Sequence, residues 1–179
     1  KLVARGYAVL GVSVRGTGCS GGVFDPFEER QGLDGYDAVE WAARQPWSNG
    51  RVGMLGLSFG AITQLITARH HPPHLVALAA ASSLSDLYRD VTYPGGILNN
   101  VFPFAWTAIQ KEGVGGVAST ALPAGDTECA ANLAAHEAAN ASHSVPQLIL
   151  DHPYDDDAMG GQTWSSRSPF SGLPKVEVP

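Results

Sequence analysis

The sequence lacks several features that would narrow its function at once. It has two cysteines, Cys19 and Cys129, in 179 residues, and a single pair does not specify a redox compartment. We interpret them as two unreactive thiols, with one disulfide as the alternative. Its longest apolar run, Leu75–Ala81, is far shorter than the roughly 20 residues that span a bilayer, so no transmembrane segment is predicted.

Basic residues are also scarce. Lys and Arg number 11 against 17 Asp and Glu, for a formal net charge of −6. Without a basic patch, nucleic acid and anionic membrane surfaces are poor partners. No charged n-region or apolar h-region opens the chain, so no targeting signal can be read, and cytoplasmic and secreted locations both stay open. The opening residues are typical of the last turn of a helix stopped by Gly6, which predicts that the true N-terminus is missing.

What the sequence does contain is an alternation of strand and helix patterns. A 44% hydrophobic content can bury one substantial core. The order β-α-β-α-β requires parallel pairing with right-handed crossovers and helices covering the sheet, so we predict an α/β fold. The predicted elements are buried strands at Tyr7–Val14 and Arg51–Ser58, a third strand at Leu75–Ser82, and helices at Glu28–Gln45 and Phe59–Pro72.

The pattern changes after Asp86. A short apolar helix, broken near Pro103, and an Ala-rich helix over residues 126–140 follow without a strand between them. Helices without intervening strands predict an inserted helical cap over residues 86–172. The core fragment then covers residues 1–85, and residues 173–179 begin the next core strand.

Two glycine motifs compete for the role of functional site. Gly16–Gly21, GTGCSG, matches the G-x-G-x-x-G pattern of dinucleotide-binding loops, and Gly56–Gly60, GLSFG, matches the G-x-S-x-G pattern of a nucleophile elbow. An elbow requires a strand, a very tight turn and a helix, with flanking residues that lack colliding side chains. Ser58 stands between a predicted strand and a predicted helix, with Gly56 and Gly60 on either side. We therefore favour the elbow, with a helix-capping serine as the structural alternative.

The dinucleotide interpretation fits its surroundings less well. A phosphate cradle requires a helix that begins within the glycine motif, so that its first N–H groups meet the pyrophosphate. Here Pro26 intervenes and the helical pattern starts only at about Glu28. We interpret Gly16–Gly21 as a loop that leaves the first strand. A nucleotide-binding oxidoreductase using this motif and a non-catalytic α/β module remain the alternatives to a hydrolase.

Three blocks of the sequence resemble the cocaine esterase and X-Pro dipeptidyl-peptidase family of α/β-hydrolases. They read GYAVLGVSVRGTGCSGG, DGYDAVEWAARQPWSNGRVGMLGLSFG and YPGGILNN, in the order the family has them. The resemblance runs through most of residues 2–98. A weaker likeness resumes at HPYDDDAMGGQTWSSRSPF. The resemblance implies an α/β-hydrolase core with a helical cap inserted after the strand that follows the nucleophile helix, truncated here at both ends.

The resemblance also implies roles for particular residues. Ser58 is the acyl-forming nucleophile, and the backbone N–H of Phe59 is one oxyanion donor. The family usually has Tyr at position 59, but a backbone donor does not depend on the side chain. The second donor in the esterase branch is a Tyr hydroxyl upstream of these residues. Trp106 falls where that branch has a substrate-lining Trp, and Phe102 lies one helical turn earlier; cap-core aromatics are the alternative for both.

A serine nucleophile needs a His base oriented by a carboxylate. His70, His71 and His74 end the helix that starts at the elbow, about 15–22 Å along its axis from Ser58 at 1.5 Å per residue, and cannot reach it. We expect them to be solvent-exposed or favourable at a helix C-terminus.

Three other histidines lie in the cap region, where the spacing establishes no position facing the elbow: His136, His143 and His152. Asp86 cannot be assigned as the orienting carboxylate on its position either. The resemblance places both partners beyond Pro179, so we predict a fragment that is inactive by itself.

No cofactor or metal is expected. The acidic run Asp151–Asp157 lacks the Gly and terminal Glu of an EF-hand loop and is interpreted as solvated cap surface. The resemblance implies a small-molecule ester or a short X-Pro peptide as substrate. It does not decide between these two substrates, and it leaves the oligomeric state open.

Overall fold

A computed structural model describes residues 1–109, 126–142, 144–155 and 163–169 of the protein. These residues divide into two compact units. The core unit contains residues 1–12, 27–84 and 169, and the helical unit contains the described residues of 13–26 and 85–168. Each unit is described by itself below. None of the described helices is long and apolar enough to cross a membrane.

The core unit contains a parallel β-α-β arrangement preceded by a helix. Its elements are α1 at Glu29–Ala43, β1 at Val52–Leu57, α2 at Phe59–Ala68 and β2 at Leu75–Ala81. β1 and β2 pair in parallel, with Leu55 opposite Ala79 and Leu57 opposite Ala81. All four elements confirm the predicted ones to within a few residues, because each is bounded by a clear signal such as the Ser-Asn-Gly turn before β1.

One face of the two-stranded sheet is packed against the helices. Val39 of α1, Ala68 of α2 and Leu75 of β2 form a buried cluster, and alternate residues of β1 lie against it as the two-residue strand period requires. The other face is open within the described residues, where Leu55 and Leu57 are 71% and 68% exposed. The prediction of fully buried strands is therefore wrong for this face.

The predicted strand at Tyr7–Val14 is not formed. Tyr7 and Val9 are 61% and 62% exposed, and the described sheet has only the strands β1 and β2. A strand exists through its neighbours, since its backbone N–H and C=O groups must pair with another chain segment. The expected helical turn before it is confirmed as a 3-10 turn at Val3–Arg5, which ends at Gly6 with φ 83°.

The described elements after Leu84 are all helical. A π-helical turn at Tyr88–Thr92 and a 3-10 turn at Pro94–Gly96 precede α3 over residues 102–109, α4 at Thr127–Ser142 and α5 at Val145–Asp151. The predicted break near Pro103 is wrong. Pro103 lies in the first turn of α3, where proline is tolerated, and the helix continues through it. α5 was not predicted, although Ser144 caps it by accepting from Gln147 N–H. The bounds of the predicted cap remain a prediction, and residues 173–179 lie outside the described residues.

Candidate active site

Ser58 forms the turn between strand and helix in the core unit. Its backbone has φ 55° and ψ −119°, which lies outside the regions that residues with side chains ordinarily occupy. β1 ends at Leu57 and α2 begins at Phe59, so Ser58 is the one residue between them. Its N–H donates to the Ala81 carbonyl at 2.9 Å, which extends the β1–β2 pairing into the turn. Strain of this kind costs about 1–3 kcal/mol and persists where the surroundings over-determine the backbone.

The chain approaches itself closely on either side of Ser58. A Cβ added to Gly56 would overlap the Gly60 carbonyl group and lie 2.9 Å from the Gly60 Cα, so only glycine fits at position 56. A Cβ added to Gly60 would meet no described atom within 4 Å. The steric requirement of the turn therefore falls on Gly56, and glycine at position 60 is not required by crowding from the described atoms.

The geometry argues against a capping role for Ser58. The residue occupies the N-cap position of α2 but makes no side-chain capping hydrogen bond. A capping serine would accept from the N–H of the second or third helical residue. Here the Ser58 carbonyl accepts from the N–H groups of Ala61 and Ile62 at 2.8 and 3.0 Å, and the residue is exposed. The strained backbone is thus combined with a hydroxyl that does not cap the helix.

Phe59 is held by an aromatic contact that the sequence did not predict. Its ring centroid lies 5.2 Å from that of Phe27. Phe27 is buried, has a left-handed backbone with φ 66°, and donates its N–H to Gln31 Oε1 at 2.9 Å. Because Phe59 opens α2, its own N–H belongs to the first turn, whose N–H groups point out of the helix N-terminus. The aromatic pair therefore anchors the residue whose amide is the expected oxyanion donor.

A second serine in the core unit has a similar backbone but different surroundings. Ser82 follows β2, has φ 54° and is exposed. No helix begins directly after it, since the π-helical turn starts only at Tyr88. A helix N-terminus beside the nucleophile is the part of an elbow that Ser82 lacks. Ser82 is therefore a matched control for any test of Ser58.

The described histidines of the core unit lie at the far end of α2 from Ser58. α2 runs for about 15 Å at 1.5 Å per residue. His70 Nε2 lies 3.5 Å from the Glu29 carboxylate, and His74 Nδ1 lies 2.8 Å from Glu40 Oε2. Their pairing with carboxylates of α1 agrees with the prediction that they do not serve Ser58. His70 and His74 are half-buried, contrary to the expected solvent exposure, because they connect α1 to the segment after α2. His71 is exposed, as expected.

Glu40 is the buried partner in this connection. Besides the His74 ring, it accepts from the His74 N–H at 3.2 Å and lies 3.5 Å from Arg44. Burial acts to raise the pKa of Glu40, but the hydrogen bonds from His74, with the charges of His74 and Arg44, outweigh it and lower the pKa below its ordinary value of 4.5. The Glu40 carboxylate therefore has a structural role, in which it links α1 to the segment after α2.

The histidines and the aspartate of the helical unit that the sequence could not assign as base or acid make structural contacts. His136 is fully buried, with Nε2 2.9 Å from the Gly18 carbonyl oxygen. His152 Nδ1 lies 3.3 Å from Thr163 Oγ1. Asp86 accepts from the Arg89 N–H at 2.9 Å and pairs with its guanidinium. His143 lies outside the described residues, and the identity of the base remains a prediction.

The two predicted substrate-pocket aromatics lie on α3 in the helical unit. Phe102 is 55% exposed, and Trp106, one turn later, is half-buried. Their spacing of four residues places them on one face of the helix, as expected. Their role in substrate binding remains a prediction.

In the loop Gly16–Gly21, three backbone N–H groups, those of Gly16, Thr17 and Ser20, donate to nearby backbone carbonyls. Gly16 N–H donates to the Gly21 carbonyl at 2.9 Å, and Thr17 N–H donates to Val14 at 3.0 Å. The next helix, α1, begins only at Glu29, as the sequence predicted. A phosphate would need N–H groups directed outward from a helix N-terminus. The loop therefore does not have the form of a phosphate cradle.

A disulfide between Cys19 and Cys129 ties this loop to α4. The two Cα atoms are 4.5 Å apart, at a sequence separation of 110. Asn132 Nδ2 donates to the Cys19 carbonyl at 3.1 Å, one helical turn from the bridge. The interpretation of two unreactive thiols is therefore wrong, because the fold brings together two cysteines whose proximity their spacing does not reveal.

No group of three or more His, Cys, Asp or Glu residues in the described ranges could hold a metal ion. Part of the acidic run is visible there. Asp151 accepts from Gln147 Nε2 at 2.8 Å, and Asp155 pairs with Arg89. Asp156 and Asp157 lie outside the described residues. The described carboxylates of this segment are thus engaged with protein donors.

The parallel β-α-β arrangement, with a strained serine between strand and helix, defines an α/β protein with the local geometry of a nucleophile elbow. Comparison with known proteins then identifies the family. The model of the X-Pro dipeptidyl-peptidase (S15) family matches residues 1–179, and the chain belongs to that family. The resemblance read from the three sequence blocks is thereby confirmed.

Individual relatives agree with this assignment. The chain is 30% identical over 197 residues to cocaine esterase from a Rhodococcus species, covering 100% of this chain and 33% of that enzyme. It is 40% identical over 108 residues to a Mycobacterium bovis protein provisionally named a serine esterase, covering 59% of this chain and 17% of the relative. A crystal structure of a CocE/NonD family hydrolase from Staphylococcus aureus matches with a TM-score of 0.67 and 30% identity, over 93% of this chain and 25% of that chain. The chain thus spans a third or less of the length of these relatives.

Proposed function

We propose that the full-length protein is a serine hydrolase that cleaves ester or amide bonds through an acyl-enzyme on Ser58. The observation that carries this proposal is the strained backbone of Ser58 between β1 and α2, combined with the close approach of Gly56 to Gly60. A non-glycine residue with positive φ is costly and persists only where its surroundings enforce it, and such residues cluster at active sites. Ser58 combines this backbone with a helix that begins directly after it. The match to the X-Pro dipeptidyl-peptidase family supports the same chemistry.

The reaction follows from the groups at the turn. Ser58 Oγ attacks the substrate carbonyl carbon while its proton passes to a histidine base, and the carbonyl oxygen takes up the negative charge. The Phe59 N–H stabilises that charge at the N-terminus of α2, where the helix dipole is positive. The protonated histidine then gives its proton to the leaving alcohol or amine. Water, activated by the same base, attacks the acyl-enzyme and releases the acid and free Ser58.

The base and its orienting carboxylate are expected beyond residue 179, as the family resemblance implies. We propose Trp106 and Phe102 of α3 as the substrate-binding aromatics. The substrate class is a small ester or a short X-Pro peptide. The mechanism requires no cofactor or metal, since the serine, the base and backbone N–H groups supply every step.

The proposal is tested by comparing two serine variants of the full-length protein. With p-nitrophenyl acetate as substrate, we expect Ser58→Ala to lower kcat by roughly 10³-fold or more. Ser82→Ala, at the other strand end with positive φ, should keep the wild-type rate. Equal rates for wild type and Ser58→Ala would refute the assignment of the nucleophile.

The substrate class is tested with an X-Pro p-nitroanilide beside the ester. A peptidase should cleave the anilide, whereas an esterase should cleave only the ester. Hydrolysis of neither substrate by correctly folded wild-type protein, together with retained dinucleotide, would favour the oxidoreductase alternative.

A further inference from the structure

Gln64, in the middle of α2, is fully buried, with 0% of its surface exposed. A buried amide side chain is unfavourable unless its polar atoms are hydrogen-bonded. Both ends of Gln64 are used. Nε2 donates to the Gly60 carbonyl at 2.8 Å, and Oε1 accepts from the Ala79 N–H at 3.1 Å.

The two partners of Gln64 belong to segments that fix Ser58. Gly60 is the residue whose backbone Gly56 approaches so closely that no Cβ fits between them. Ala79 lies in β2 directly opposite Leu55 of β1, three residues before Ser58. Gln64 therefore connects the first turn of α2 to the strand that is paired with β1.

The Ser58 turn has a second connection to β2 at its other side. The Ser58 N–H donates to the Ala81 carbonyl at 2.9 Å, two residues beyond Ala79. The strand side of the turn is thus held by the β1–β2 pairing, and the helix side is held by Gln64. Strained backbone persists only where several such contacts agree on one conformation.

From this geometry we propose that Gln64 is a positioning residue for the Ser58 nucleophile. It holds the N-terminal turn of α2 against β2 and so fixes the orientation of Ser58 and of the adjacent Phe59 N–H. This inference rests on the proposed function. Misplacing a reacting group by about 1 Å can cost up to 100-fold in rate, so the effect should appear in kcat.

The test compares Gln64→Met with Thr67→Val in the full-length protein. Met is close to Gln in size and removes both hydrogen bonds. Thr67 is buried one turn later on the same helix, and Val removes its hydroxyl with little change in shape, so this variant controls for general weakening of α2. We expect Gln64→Met to lower kcat for p-nitrophenyl acetate by about 10- to 100-fold with KM unchanged. Thr67→Val should keep kcat within about twofold.

The outcomes separate this inference from the proposed function. A folded Gln64→Met protein with wild-type kcat would overturn the positioning role while Ser58→Ala still tests the nucleophile. Equal loss of kcat in Thr67→Val would also overturn it, since general weakening would then suffice. Wild-type activity in Ser58→Ala would refute the proposed function and this inference together. Should Gln64→Met fail to fold, Gln64→Asn takes its place, because its shorter side chain keeps the amide but cannot reach both Gly60 and Ala79. An unchanged kcat in folded Gln64→Asn would overturn the role.

Discussion

The segments Gly16–Gly21 and Gly56–Gly60 look alike in sequence and differ in structure. Both follow apolar residues and both contain glycines around a small polar residue. In the first, the residues with left-handed backbone are themselves glycines, Gly16 and Gly18 with φ 71° and 54°. In the second, the residue with left-handed backbone is Ser58, with φ 55°. Glycine adopts this conformation at little cost, whereas serine adopts it under strain.

The difference shows how the following residues decide the chemistry of a glycine motif. α2 begins directly after Ser58, so the serine stands at a helix N-terminus. α1 begins only eight residues after Gly21. Within Gly16–Gly21, the N–H groups of Gly16, Thr17 and Ser20 donate to nearby backbone carbonyls, and the Cys19–Cys129 disulfide ties the segment to α4. We conclude that Gly16–Gly21 is a fixed structural loop. Gly56–Gly60 is a strained turn of the kind that presents a nucleophile.

The largest expected effect on stability comes from breaking the disulfide of the structural loop. Cys19→Ser should lower the free energy of unfolding by about 4 kcal/mol, because the bridge closes a loop of 110 residues. Denaturant titration of wild type and variant measures the change. Wild type in reductant should match the variant. An unchanged unfolding midpoint in both would show that the loop does not depend on the bridge.

The second prediction concerns the strained turn. Gly56→Ala should destabilise the protein by about 3 kcal/mol, since the added Cβ would overlap the Gly60 carbonyl group. Gly60→Ala is the matched control and should change stability by less than about 1 kcal/mol, because its Cβ meets open space among the described atoms. Thermal unfolding of the two variants distinguishes them. Equal stability would mean that the close approach at position 56 is absent.

A similar pair tests the structural loop. Gly16→Ala should cost about 3 kcal/mol, because its backbone is left-handed and the added Cβ would overlap the Phe24 backbone nitrogen and the Val23 carbonyl carbon. Gly21→Ala should be nearly neutral, since its Cβ would make an ordinary 3.5 Å contact with Asn132. Denaturant unfolding of both variants measures the difference. A destabilising Gly21→Ala beside a neutral Gly16→Ala would contradict the loop geometry.

The smallest effect expected is the response of the core unit to acid. The pKa of Glu40 is lowered in the folded state, so its contribution to stability is fully present above about pH 4.5 and is lost as the pH falls through the lowered folded pKa. Glu40→Gln should therefore flatten the loss of stability below pH 4.5. Thermal unfolding at pH values from 3 to 7 checks this. Identical acid dependence in wild type and variant would contradict the pairing with His74.

The sequence predicted the parts of the fold that local signals determine. α1, β1, α2 and β2 each have a clear periodicity and a definite stop, such as Pro46 and Gly50 between α1 and β1. Tyr7–Val14 has an equally strong strand pattern, yet it forms no strand in the described chain because pairing depends on a neighbour that the pattern cannot supply. The exposure of Leu55 and Leu57 has the same cause, because a sheet face is buried only where another segment packs against it, and the sequence of the strand does not specify that segment.

The candidate site divides in the same way. Ser58, Gly56 and the Phe59 amide are local to one motif and could be predicted from it. The contact of Phe27 with Phe59 spans 32 residues, and the Gln64 hydrogen bond to Ala79 spans 15, so only the fold brings these partners together. A polar residue amid the apolar residues of α2 was the one available signal for Gln64.

The most direct test of the account is to locate the reactive serine chemically. Full-length protein is treated with a fluorophosphonate, digested, and examined by mass spectrometry for the peptide that carries the phosphonyl group. If Ser58 is the nucleophile, we expect one adduct, on Ser58, and none on Ser82 or Ser20. An adduct on another serine, with Ser58 unmodified in folded protein, would contradict the assignment of the strained turn as the nucleophile.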